Sequence, residues 1–144
     1  MVAGTLALVV MAGLAAYQNT PGLQFKVASV QAGVSTRMPN LKASGFAFTG
    51  VKAQSNKLTV GFSGTNGKYQ LMQERTNLSS EDVIKDVGST DATGAPNYDT
   101  IQAGDTTVYR LSNTNATWVS NGTWYTVTGG NLTDAQLQSL ARNS

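Results

Sequence analysis

Thr117 to Val127 reads TWVSNGTWYTV. Two tryptophans and a tyrosine flank Ser120-Asn121-Gly122, so the stretch is either an aromatic platform for a ligand or a tight hairpin that supplies core. Asn-Gly is the preferred pair for a two-residue type I′ turn, because both central residues need positive φ. With Asn121-Gly122 as that turn, Ser120 faces Thr123, Val119 faces Trp124 and Trp118 faces Tyr125. Side chains alternate along a strand, so Ala116, Trp118, Tyr125 and Val127 share one face. Thr117, Val119, Trp124 and Thr126 share the other. The two indoles then point in opposite directions, which suits a sheet packed on both sides better than a stacking surface.

The same chemistry recurs upstream. In KLTVGFSGTNGKYQLMQER (57–75), an Asn66-Gly67 turn predicts Thr65 opposite Lys68, Phe62 opposite Leu71 and Val60 opposite Gln73. Leu58, Val60, Phe62, Tyr69 and Leu71 form an apolar row, and Lys57, Thr59, Ser63, Lys68, Gln70 and Glu74 a polar one. A slip of one residue exposes the whole apolar row, so the register is well specified. Before this hairpin, a strand from Phe46 to about Gln54 ends at a Ser55-Asn56 turn. After it, Tyr98 to Gln102 and Thr106 to Leu111 read as strands joined around Gly104-Asp105, and Asn113-Thr114-Asn115 is a further turn.

Two short helices interrupt the strands. Ser79 or Ser80 caps the first, with Glu81 and Asp82 in its first turn at the positive end of the dipole. Val83, Ile84 and Val87 give an apolar stripe, and Gly88 ends it. The second begins at Thr133, where Thr133 with Gln136 fits a capping box and Leu132 with Leu137 a hydrophobic staple. Leu137, Leu140 and Ala141 form its stripe, and Arg142 complements its C-terminal end. Ser89 to Asn97 reads as a solvated connection.

The N-terminal part has a different character. Val2 to Ala16, VAGTLALVVMAGLAA, carries no charge, and Gln18-Asn19-Thr20-Pro21-Gly22 stops a helix after Tyr17. Such a helix is about 24 Å long at 1.5 Å per residue, slightly short of the roughly 30 Å bilayer core. A signal peptide needs a basic n-region, and no Lys or Arg occurs before Lys26. A helix packed on a small globular domain normally keeps a polar face. Residues 2–17 are therefore expected to be a transmembrane anchor. Leu23 to Val30 reads either as a strand or as a juxtamembrane helix, and Gln31 to Gly45 as loop. The expected organisation is a transmembrane anchor or, with Leu14-Ala15-Ala16 as a weak cleavage site, a signal-like helix over 1–17, a juxtamembrane segment over 18–45 and an extracytoplasmic α+β domain over 46–144. The expected fold is α+β, a curved antiparallel sheet of about six to eight strands with two short helices behind the anchor.

Composition narrows the chemistry. Among 144 residues there is no cysteine and no histidine. Disulfides, thiolate or imidazole metal sites and a Ser-His-Asp triad are excluded. Charged residues are only 12% of the chain, against about 25% in ordinary domains. A net charge of +2 with scattered basic residues excludes a nucleic-acid groove. Gly61-Phe62-Ser63-Gly64-Thr65 is not a nucleophile elbow, because its second glycine is misplaced. Asp82 and Asp86 lie on a solvated helix face, and no calcium-loop spacing occurs. Asn77, Asn115, Asn121 and Asn131 begin glycan-acceptor triplets, but turn chemistry explains Asn121 and Asn131. A hydrolase that pairs Ser with Lys is the residual catalytic option.

The C-terminal half also resembles a known bacterial family. Ala116-Thr117-Trp118-Val119, Asn121-Gly122, Trp124-Tyr125-Thr126-Val127, Leu132-Thr133, Leu137, Leu140-Ala141 and Ser144 are similar to the end of a domain of unknown function. That domain forms the extracytoplasmic C-terminal part of anti-sigma factors and related membrane-anchored proteins. The resemblance runs from about Leu58 to Ser144. It implies an α+β domain behind one membrane span, and no catalytic residue, cofactor or metal. Together these features lead to the expectation of a non-enzymatic, single-pass membrane domain with a sensory, regulatory or protein-interaction role. Its partners would be the membrane through residues 2–17 and an unidentified protein. A carrier of an apolar ligand such as a lipid is the alternative.

Overall fold

A computed structural model describes residues 42–65 and 67–144. Seven strands form one antiparallel sheet: β1 (Phe46–Gln54), β2 (Lys57–Gly64), β3 (Gly67–Arg75), β4 (Asp99–Ala103), β5 (Thr106–Ser112), β6 (Asn115–Ser120) and β7 (Thr123–Gly129). Two helices accompany them, α1 (Ser80–Val87) and α2 (Asp134–Arg142). The spatial order is β1-β2-β3-β7-β6-β5-β4. The chain makes a three-stranded meander and crosses to the far edge through α1. A second, four-stranded meander then leads back until β7 pairs with β3.

Alternation divides the sheet into a core face and an outer face. Leu58, Val60, Phe62, Tyr69, Leu71, Ile101, Val108, Ala116, Trp118, Tyr125 and Val127 belong to one core cluster. Leu137, Leu140 and Ala141 of α2 join that cluster, and α2 lies against β4, β5 and β6. The helix α1 packs against β5 and β6 from the outer face, burying Val83 and Ile84. Its Ser80 hydroxyl accepts from the Val119 N–H at 2.8 Å and donates to the Val119 carbonyl at 3.3 Å, stitching helix to strand.

Both helices start as expected. Ser79 and Thr133 are the N-caps, each in a reciprocal capping box, with Asp82 and Gln136 respectively. The end of α1 is different. Gly88 is extended, with φ −72°, so left-handed freedom is not why glycine stands there. A Cβ at Gly88 would run into the Ile84 carbonyl oxygen. Val87, expected in the apolar stripe, is 39% exposed.

The β6–β7 hairpin has the expected pairs, Trp118 with Tyr125, Val119 with Trp124 and Ser120 with Thr123, around Asn121 at φ 50° and Gly122 at φ 74°. The β2–β3 hairpin is displaced by one turn position. Gly64 pairs with Gly67, Phe62 with Tyr69, Val60 with Leu71 and Leu58 with Gln73, so Gly67 belongs to β3 and not to the turn. Moving a two-residue turn by one position shifts every partner by two residues, so each side chain keeps its face. The gain is aromatic: Phe62 lies directly across from Tyr69, rings stacked at 4.8 Å.

Tyr69 is buried, and its hydroxyl accepts the Ala43 N–H at 2.8 Å. Burial pushes the phenol up from its ordinary 10.0 to about 12, with the Ala43 hydrogen bond pulling weakly the other way. A raised folded-state pKa contributes stability below the unfolded value that is lost as pH climbs through the folded one. Between pH 10 and 12 the protein is expected to lose up to about 2–3 kcal/mol from this group. Urea titrations at rising pH should show a flatter alkaline decline for Tyr69→Phe than for the wild type.

Three expectations are corrected. The sheet is open, with β1 and β4 as edges, not curved. Its register irregularities fall between Phe48 and Gly50 on β1 and between Arg110 and Ser112 on β5, and bulges are what bend strands. Among the described residues no helix is long and apolar enough to cross a membrane. With 8 residues in α1 and 9 in α2, these helices reach about 12–14 Å, less than half of a bilayer core. The expected anchor at residues 2–17 lies outside the described residues. The single-pass architecture, the membrane as a partner through 2–17 and the membrane location that rested on it are set aside.

Candidate functional site

The two indoles have separate tasks. Trp118 is fully buried, stacked on Tyr125 at 5.3 Å with 11° between the planes, and its Nε1–H donates to Ser144 Oγ at 3.2 Å. Trp124 is half-buried on the outer face. Its Nε1–H donates to Thr117 Oγ1 at 2.6 Å, and that hydroxyl in turn donates to the Tyr125 carbonyl at 2.8 Å. Both N–H groups are committed to the protein itself, so the pair does not make an aromatic platform.

The hydroxyls and carboxylates singled out in the sequence are largely committed as well. Asp82 Oδ2 accepts from the Ser79 hydroxyl at 2.8 Å. The Ser79 hydroxyl and backbone hold the Asp82 carboxyl below the usual range, with Lys85 adding to the effect. Lys85 Nζ sits 3.5 Å from Asp82. Ser63 lies within β2 opposite Lys68, in an extended strand rather than at a strand-to-helix elbow. Asp91 Oδ1 accepts from the Thr93 hydroxyl and from the Thr93 and Ala95 N–H groups. The connection after α1 is thereby an organised turn. Asn121 and Asn131 adopt left-handed φ of 50° and 47°, the turn role expected of them. Among the described residues no group of three metal-ligating side chains occurs.

Among the described residues, two open clefts lie near these groups. One, of about 290 Å³, runs between the start of α1 and the β4–β5 turn and is lined by Glu81, Asp105, Thr107 and Tyr109. Burial raises the Tyr109 pKa, and the Glu81 and Tyr98 charges add to it. The other, of about 200 Å³, lies beside Tyr98, Asp99 and Arg110. Arg110 is already engaged there, with Nη2 donating to Asp134 Oδ1 at 2.6 Å and to the Leu132 carbonyl at 2.9 Å. That double contact ties β5 to the start of α2. Of the hydroxyls at the first cleft, Ser79 already donates to Asp82 and Ser80 to the Val119 carbonyl.

The edges of the sheet differ more than its clefts. The β4 edge is five residues long, and α2 closes part of it: Gln138 Nε2 donates to the Gln102 carbonyl at 3.1 Å. The β1 edge is nine residues long and among the described residues pairs on one side only, with β2. Phe48, Val51 and Ala53 are half-buried and packed against the core, so they present apolar surface at the rim. Lys52 is exposed on the other side of the strand. An unpaired row of N–H and C=O groups is a template for another strand unless it is blocked. Here β4 is partly covered, and among the described residues β1 carries a local irregularity and one lysine.

Nothing in the sequence analysis marked β1 as an edge. Lys52 and Gly50 inside an otherwise apolar strand were the available signal, since lysine and bulges are common edge devices. No family model, curated protein or solved structure matches this chain.

Proposed function

We propose that the chain is a non-catalytic recognition domain that takes up an extended polypeptide segment along β1. The observation that carries this is the asymmetry of the edges. One is short and capped by Gln138, while the other is long, unpaired among the described residues and rimmed by Phe48, Val51 and Ala53. Strand addition supplies main-chain hydrogen bonds for affinity and alternate side-chain contacts for specificity. The incoming segment therefore alternates apolar residues, continuing the core face, with polar ones, and an acidic residue suits the position beside Lys52. The commitment of the serines and aspartates around α1 to caps and turns favours recognition over catalysis.

The test uses a soluble synthetic peptide alternating valine with threonine and glutamate. Its addition should slow amide exchange along β1 and shift β1 resonances. Val51→Lys puts an ammonium group at the half-buried rim and is expected to weaken binding about tenfold or more. Lys52→Glu should weaken it up to about fivefold, the size of an exposed ion pair. Shifts centred on Tyr109, or none at millimolar peptide, would overturn the proposal. A concentration-dependent dimer abolished by Val51→Lys would replace the foreign segment by a second copy of this chain.

A further inference from the structure

Besides Arg110 at its β5 margin, the core face carries one wholly buried amide. Gln73 of β3 is wholly buried, and among the described residues neither its Nε2 nor its Oε1 has a hydrogen-bonding partner. Its neighbours across the strands are Leu58 and Tyr125. One step further along the same face, Thr123 is buried beside Arg75. Burial raises the Tyr125 phenol, and a hydrogen bond with the Thr123 side chain draws it partly back. A buried carboxamide, a buried phenol and a buried threonine hydroxyl thus share one part of an apolar sheet face.

An amide left unmatched in such surroundings is strongly disfavoured, and leucine would fill similar space without that penalty. We propose that Gln73 anchors a buried site for a small uncharged hydrogen-bonding group. A carboxamide offers two donors and an acceptor, so the guest must both accept and donate, as water, an alcohol or an amide does. A charged guest does not fit: the three polar groups are neutral, and an ion would meet no counter-charge among them. Water is the smallest source of this chemistry, and buried waters typically bridge such groups. The hydroxyl or amide end of a small organic ligand is the other source. Tyr125 and Thr123 carry the other hydroxyls on this part of the face, and Trp118 stacks on Tyr125.

Nuclear Overhauser spectra of the full chain test the site at the Gln73 side-chain amide protons. A cross-peak to water with the sign of a long-lived contact assigns the guest as water. A cross-peak to a ligand resonance, with an added mass in native mass spectrometry that disappears after refolding from urea, assigns a small molecule. Either result supports the proposal, and Gln73→Leu should abolish the signal while leaving the remaining resonances of the sheet in place. Should that variant not fold, the wild-type spectrum decides by itself. Amide protons in contact with neither water nor ligand, or hydrogen-bonded to another residue of the chain, overturn it.

Discussion

Replacing Trp118 with alanine is expected to lower the unfolding free energy by about 3–5 kcal/mol. The indole is fully buried, and truncation removes its apolar transfer energy and leaves a cavity that close-packed neighbours fill only in part. It also removes the stack on Tyr125 and one of the two hydrogen bonds of the Ser144 hydroxyl, which accepts the indole N–H and donates to the Ala141 carbonyl. Trp124→Ala is the matched control. That ring is half-buried on the outer face, so less apolar area is lost and the strands stay in register. The measurement is a pair of urea melts at neutral pH, with the midpoint falling far more for Trp118 than for Trp124. Equal effects, or a small one at Trp118, would mean that the hairpin is not the centre of the core.

Much of this fold was legible because its signals are local. Asn121-Gly122 can only turn one way, and once it does, the faces of Trp118 and Trp124 follow from strand periodicity. The Ser79 and Thr133 capping boxes are likewise written within four residues. The β2–β3 turn was misplaced by one position because alternation is indifferent to that shift. What decides it is non-local: Tyr69 opposite Phe62 on one side and opposite Gly129 on the other. Gly129 is at φ 88°, and a Cβ there would press on the Lys68 carbonyl oxygen at 2.6 Å, so the β3–β7 junction constrains the hairpin from outside.

Strand order was not legible at all. No local feature of Leu71 indicates that it will pair with Val127, so which strands become edges, and with them the candidate site on β1, follows only from the assembled sheet. Gln73 was equally hidden, because a glutamine in a strand gives no sign that it will be wholly buried. The membrane assignment failed for a different reason. An apolar run reports that a segment avoids water, not which medium it enters, and location, partner and role were all stacked on that one segment.

Leu140→Ala is expected to destabilise the domain by about 2–5 kcal/mol. Leu140 is 1% exposed and lies at the centre of the contact between α2 and the core face, in one cluster with Trp118, Ile101 and Val108. Ser139, beside it and exposed, should tolerate alanine within about 0.5 kcal/mol. The larger consequence is at the edge of the sheet. The same helix carries Gln138, whose amide covers the Gln102 carbonyl of β4, and Arg110 holds the start of α2 through Asp134. Loosening α2 therefore uncovers the protected edge before the sheet itself comes apart. Hydrogen exchange on Leu140→Ala should quicken first in α2 and β4 while β2, β3 and β7 stay protected. Light scattering should detect association that Gln138→Ala alone reproduces more weakly. Uniform loss of protection across all seven strands would instead show that α2 is part of the single cooperative core, and that the blocking of β4 has no separate stability of its own.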